Sequence, residues 1–171
     1  VHTFNHHSGT SSVLSDRNRY FSTALNASVA NLCPQYSRAI SNDGQWAAAM
    51  FSPWKGDSEV QLLSVDGKVV YTYSPASEVK FSSSAAYALV KKVPADALMD
   101  ELKLKKTKKD KMPMDELIIR HLKNGYEWTI DSLKGYKLAE EGEWLAYQRT
   151  HKDSSLVVVS LDGTQKYVLP S

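Results

Sequence analysis

The 171-residue sequence predicts an all-β fold built from repeated antiparallel four-stranded units. Two observations carry that reading. From residue 37 onward, short β-branched or aromatic runs alternate with turn clusters, the pattern of strands joined by hairpins. Within it, one larger unit recurs three times: a polar turn, a strand, a connection, a second strand, an Asx-Gly turn and a third strand.

The Asx-Gly turns are SVDG (64–67) between VQLL and KVVYTY, LKNG (122–125) between LIIRH and YEWTI, and SLDG (160–163) between LVVV and TQKYVLP. Asn-Gly and Asp-Gly mark hairpins because tight turns demand the positive φ that these residues adopt at low cost. Each hairpin follows a strand of similar make, QWAAAMF (45–51), AYALVKK (86–92) and EWLAYQR (143–149), and each of those follows a turn cluster, SNDG, FSSSA and AEEG.

Spacing supports a genuine repeat. Gly44 to Gly67 is 23 residues and Gly142 to Gly163 is 21; the middle copy is longer because residues 94–113 are inserted between its central strands. Sheet units recurring every 40–50 residues or so are the signature of β-propeller blades. The expected organisation is a lead-in over 1–36, then blades over about 37–75, 78–131 and 133–171. Propellers close with about four to eight blades, so these three form part of an incomplete ring, expected to be seven- or eight-bladed. A three-layered antiparallel sandwich is the alternative. Trp46, Tyr87, Trp144 and Tyr147 recur at matching places and suit flat sheet-on-sheet packing.

Two segments stand outside the repeat. Residues 1–36 are polar and hold His2, His6 and His7; within them 15–32 suits a short helix capped by Ser15 or Asp16. The insertion 94–113 reads as a short amphipathic helix (Ala97, Leu98, Leu102) followed by a lysine-rich loop.

Composition narrows the function classes. With 42% hydrophobic and 23% charged residues the chain is of ordinary globular make. Its apolar runs, such as Ala47–Phe51, are far short of the roughly 20 residues of a membrane span. Residues 1–18 lack the basic and apolar regions of a signal peptide. The single cysteine, Cys33, excludes an intramolecular disulfide and a cysteine-based zinc cluster. Net charge is +2, but residues 91–112 hold eight lysines against four acids, so the rest of the chain is at −2. That distribution argues against a nucleic-acid-binding surface on the body of the protein.

Motifs of catalysis are missing: G-x-S-x-G, H-E-x-x-H, a phosphate-binding loop and a dinucleotide fingerprint do not occur. On an extended segment the adjacent side chains of His6 and His7 would point apart, a poor arrangement for a metal site. His121 reads as an edge or surface histidine. The run KLKKTKKDK (103–111) has six lysines but no arginine and no interleaved aromatic residue, so a solvated flap at a blade rim fits better than a nucleic-acid site; an acidic surface or neighbouring domain is the expected contact. The sequon Asn26-Ala27-Ser28 carries no weight. No catalytic, cofactor-binding or metal-ligating residue is assigned to this chain.

The order of features resembles a known family. ISNDGQWAAAMFSPWKGDSEVQLL is similar to the first propeller blade of S9-family, prolyl oligopeptidase-like serine peptidases, in particular exported members from Bacteroidetes. FSSSAAYALVKK, the lysine-rich insert and KMPMDELIIRHLKNG look like the second blade, and YKLAEEGEWLAYQ resembles the start of the third. Coverage runs from about Ser37 to the end; the N-terminal arm shares only FNHHSG with some lead-ins. The resemblance implies a propeller that covers the active site of a C-terminal α/β-hydrolase domain and admits short peptides. It also implies that the triad lies in that absent domain, that this chain alone does no catalysis, and that the location is periplasmic or secreted. The expected partners are that hydrolase domain and peptide substrates, with no nucleic acid and no membrane span. The alternative function is a non-enzymatic propeller or sandwich module presenting loops 52–58 and 94–113 to a protein or glycan.

Overall fold

The computed structural model describes residues 35–150 and 155–169. The helix expected within 15–32, the His6-His7 pair, the Asn26 sequon and Cys33 lie outside the described residues.

Three successive antiparallel meanders make up the fold. The first blade consists of β1 (Gln35–Ile40), β2 (Trp46–Ser52), β3 (Glu59–Ser64) and β4 (Val69–Tyr73), hydrogen-bonded in that order. The second has β5 (Ala76–Phe81), β6 (Tyr87–Lys92), β7 (Asp115–His121) and the first part of β8 (Glu127–Leu138). The rest of β8 opens the third blade, followed by β9 (Trp144–Arg149), β10 (Leu156–Ser160) and β11 (Lys166–Leu169).

One long strand therefore serves two blades. β8 pairs with β7 from Glu127 to Ile130, its register slips on both partners before Gly135, and Leu133–Leu138 pairs with β9. Ser132, at φ 53°, sits at the slip. An unpaired extra residue bends and twists a strand, and here it turns the chain from the outer edge of one blade into the inner strand of the next. The ring is not closed by these strands.

The turns recur because the same local chemistry builds them. Ser41, Ser64 and Ser160 each donate to the aspartate two residues on, Asp43, Asp66 and Asp162. Trp46 N–H and Gln165 N–H then donate back to the hydroxyls of Ser41 and Ser160. The serine hydrogen bond is the first cause that holds the carboxyls of Asp66 and Asp162 below the usual range. These three Ser-Asp pairs are thus turn locks.

Alternation on the strands builds two interfaces. Ala48, Val60, Leu62 and Tyr73 of blade 1 meet Ala76, Ala88, Val90 and Ile118 of blade 2. On blade 2's other face Leu89, Leu117, Ile119 and Ile130 meet Leu145, Tyr147, Val157 and Val159 of blade 3. Neighbouring residues of β6 and β7 point to opposite interfaces, so both faces of this sheet are buried and its strands read as unbroken apolar runs. The four repeated aromatic residues do pack as sheet mass: Trp46 stacks on Tyr71, Tyr87 meets His121 edge-on, Trp144 lies against Tyr167, and Tyr147 is in the core.

A polar clamp also ties blade 1 to blade 2. Arg120 on β7 donates through Nε to the Tyr73 hydroxyl, through Nη2 to the Glu127 carboxylate, and through Nη1 to the Gly125 carbonyl at 3.1 Å. Its guanidinium lies 4.0 Å from the Tyr71 ring centroid, and the Tyr73 hydroxyl donates to Glu127 at 3.1 Å. Burial pushes the Tyr73 phenol up to about 12, against the opposing pull of Arg120. Tyrosine in an unfolded chain ionises near pH 10 or so. The folded state therefore keeps a proton that the unfolded state loses, and stability falls as pH rises from the unfolded to the folded value. We expect a loss of up to about 2 kcal/mol over that range, read by urea unfolding at stepped pH, and a shallower decline in Tyr73→Phe.

The insertion contains α1 (Asp96–Leu104), in which no residue is buried. Its N-terminal N–H groups lack a side-chain cap from Ala95; instead Asp57, on the blade 1 loop, accepts from Asp96 N–H at 2.8 Å. The helix ends at Lys106, in the left-handed region at φ 50°, with Thr107 N–H returning to Leu102 C=O at 3.0 Å. Among the described residues no helix is long and apolar enough to cross a membrane.

Candidate functional site

The first strand of each blade lines one groove. Ala39 and Ile40 of β1, Val79–Phe81 of β5 and Tyr136–Leu138 of β8 border a cavity of about 450 Å³. The turns at its rim, 41–45, 82–86 and 139–143, are hydrogen-bonded in a row. Asn42 Nδ2 donates to Ser83 C=O at 2.9 Å, Ser83 Oγ donates to Gly142 C=O at 3.1 Å, and Ser84 N–H donates to the Glu143 carboxylate at 3.2 Å. Equivalent turns of the repeat thus hold equivalent strands around a common space.

Apolar walls and two lysines set the character of the groove. Ile40, Phe81 and Leu138 supply the walls; Lys80 and Lys137 bring positive charge, and Glu140 sits at the rim. Lys80 pairs with Glu78 at 2.8 Å and lies 5.0 Å from the centroid of the Tyr136 ring. Burial, and then the Glu78 charge, push the Tyr136 phenol well above its ordinary range, so it is neutral at physiological pH. Such a surface can bind and orient an extended chain. The serine hydroxyl at the groove, Ser83 Oγ, is committed to a backbone carbonyl. Among the described residues no cluster of three His, Cys, Asp or Glu could hold a metal ion.

The residues weighed from sequence fall elsewhere. His121 ends β7 and its Nδ1 accepts from the N–H groups of Lys123 (3.2 Å) and Asn124 (3.3 Å), so it shapes the LKNG turn. The insertion that carries the lysine run is tied to the loop at 52–58 at its helix start, through the Asp57–Asp96 bond, at the opposite end of the blades from the turns at the groove's rim. Sequence reasoning did not single out the groove residues. A signal existed: Lys80-Phe81 and Lys137-Leu138 occupy the same place in the repeat, just before the turn clusters.

No protein-family model matches the sequence, and no curated protein matches it. Solved structures do. A eukaryotic initiation factor is similar over 79% of this chain and 32% of its own, at 11% identity and TM-score 0.50. The likeness is one of fold. The β-propeller domain of the Trilobed protease from Pyrococcus furiosus, described as having an open velcro topology, matches over 79% of this chain and 43% of its own, at 8% identity and TM-score 0.46. Puromycin hydrolase matches over 80% and 22%, at 10% identity and TM-score 0.41. At these scores the last two carry no argument about function. The chain spans less than half the length of each of the three. Antiparallel four-stranded blades, stacked face to face around a groove and not closed into a ring, are those of a partial β-propeller.

Proposed function

We propose that this chain is the N-terminal arc of the β-propeller of a serine peptidase of the prolyl oligopeptidase family, and that in the whole protein it gates access to a C-terminal α/β-hydrolase domain. The location that goes with this proposal is periplasmic or secreted. Chemistry belongs to the hydrolase; the propeller contributes a narrow, walled route that short peptides pass and folded proteins do not. Excluding bulk from a water-poor site tunes access rather than bond cleavage.

One observation supports the larger ring most strongly. Across blade 1, Ala48, Leu62 and Tyr71 form a cross-strand row with Trp46 stacked on Tyr71, 6.4 Å between centroids. Blade 2 covers that face. Across blade 3, Ala146, Val158 and Tyr167 form the same row in the same register, with Trp144 against Tyr167 at 6.0 Å. Here Tyr167 is 58% exposed, and a cavity of about 420 Å³ opens over Trp144, Ala146 and Val158. The third blade repeats a surface that elsewhere in this molecule receives another blade. The peptidase reading itself rests on the order of features from ISNDGQW to AEEGEWLAYQ.

The test is the reading frame beyond Ser171. The proposal expects further blade repeats and then G-x-S-x-G followed by an aspartate and a histidine. A frame that stops without them would remove the peptidase and leave a non-enzymatic binding module.

A further inference from the structure

The helix of the insertion is out of place for a folded protein in water. Nine residues are too few for a stable isolated helix, yet α1 buries none of them. It is held by the Asp57 cap and by two pairs along its own face, Asp100–Lys103 and Glu101–Lys105. Two of its apolar side chains face solvent, Leu98 at 44% and Leu104 at 84% exposed, while Met99 and Leu102 are half-buried. The loop that caps it carries Trp54, 91% exposed and three residues from Asp57. After Leu104 come Lys105, Lys106, Lys108, Lys109 and Lys111, with Asp110 the sole acid among them. A tryptophan, two leucines and a lysine cluster are thus gathered on one rim by the Asp57–Asp96 bond.

We propose that this rim, formed by the 53–57 loop, α1 and the lysines to 111, docks on an anionic phospholipid surface. Trp54, Leu98 and Leu104 enter the headgroup boundary, where an amphipathic aromatic ring and aliphatic side chains are favoured. Lysine stems cover the apolar surface while their ammonium groups reach lipid phosphates. The basic residues of this rim are all lysine, with no arginine, and that favours lipid over a folded acidic partner. Arginine forks recognise particular carboxylates in fixed geometry, whereas lysine is a mobile point charge whose effect scales with number. Nucleic acid is disfavoured because no aromatic residue is interleaved with the lysines to stack on bases. The contact is peripheral and independent of the peptidase reading.

Co-sedimentation of the full chain with vesicles tests it. Vesicles of equimolar phosphatidylcholine and phosphatidylglycerol are expected to pull the protein down, and pure phosphatidylcholine is not. Each lysine near an anionic surface contributes about fivefold in affinity, so changing Lys106, Lys108, Lys109 and Lys111 together to glutamine should weaken binding by more than about 100-fold while circular dichroism stays unchanged. Tryptophan emission should shift to shorter wavelength on the anionic vesicles, and Trp54→Phe should remove that shift without abolishing sedimentation. Equal binding to neutral vesicles, full binding by the glutamine variant, or an emission shift that survives Trp54→Phe would each overturn the proposal. So would failure to sediment with anionic vesicles, whether or not the chain binds polyglutamate, as for an acidic protein partner, or duplex DNA.

Discussion

Leu89→Ala is expected to lower the free energy of unfolding by about 3 kcal/mol, within the range for fully buried leucines. Leu89 sits on β6, completely buried, and points into the interface between blades 2 and 3 beside Leu117, Ile119 and Leu145. Truncation loses the transfer free energy of the removed methyl groups and leaves a cavity that two sheets, each held by its own hydrogen bonds, can only partly close. Urea denaturation measures the effect. Leu104→Ala is the matched control: the same chemical change on a residue 84% exposed should stay within about 0.5 kcal/mol. Equal effects at the two positions would mean that blades 2 and 3 do not pack through β6 as described.

Arg120→Ala is expected to cost about 2–3 kcal/mol. The guanidinium is the common partner of Tyr73, Glu127 and the Gly125 carbonyl, and it sits over the Tyr71 ring, 4.0 Å from its centroid. Removing it strands the Glu127 carboxylate and a buried phenol at the seam between two blades. The value is held below that of a deeply buried pair because the Glu127 side chain is one-third exposed. Arg120→Lys should recover little, since an ammonium cannot form the three-way fork or cover the ring. A double-mutant cycle with Tyr73→Phe should show coupling between β7 and β4; additive losses would remove the clamp from the account.

How much of this was legible beforehand depends on how local the cause is. The S-x-D-G turns at 64–67 and 160–163, and the apolar runs QWAAAMF and AYALVKK, could be read because turn chemistry and two-sided burial are written into neighbouring residues. The first strand of each blade could not be delimited. Its residues, such as SEVKF in β5, combine charge with apolar groups because the strand lines the groove with one part of its surface and packs with another. β8 hid for a different reason: one unbroken strand serves two blades, and only pairing partners reveal where it bends. The insertion helix was expected to be amphipathic, but amphipathicity does not say how far the apolar side is covered, and here it is covered only in part: Met99 and Leu102 are half-buried, Leu98 and Leu104 exposed. Arg120, Glu127 and the two tyrosines are separated by up to 56 residues, and no spacing rule joins them. Lys80 and Lys137 had a signal in their shared repeat position, which emerges once the blades are superposed in register.

Hydrolysis of short chromogenic peptides tests the central claim most directly, comparing this chain with the polypeptide extended through the hydrolase domain that the proposal places after it. The account predicts no turnover by the 171 residues alone and serine-inhibitor-sensitive turnover by the extended protein, limited to short peptides. Turnover by the chain alone, or an extended protein that cleaves nothing, would contradict it.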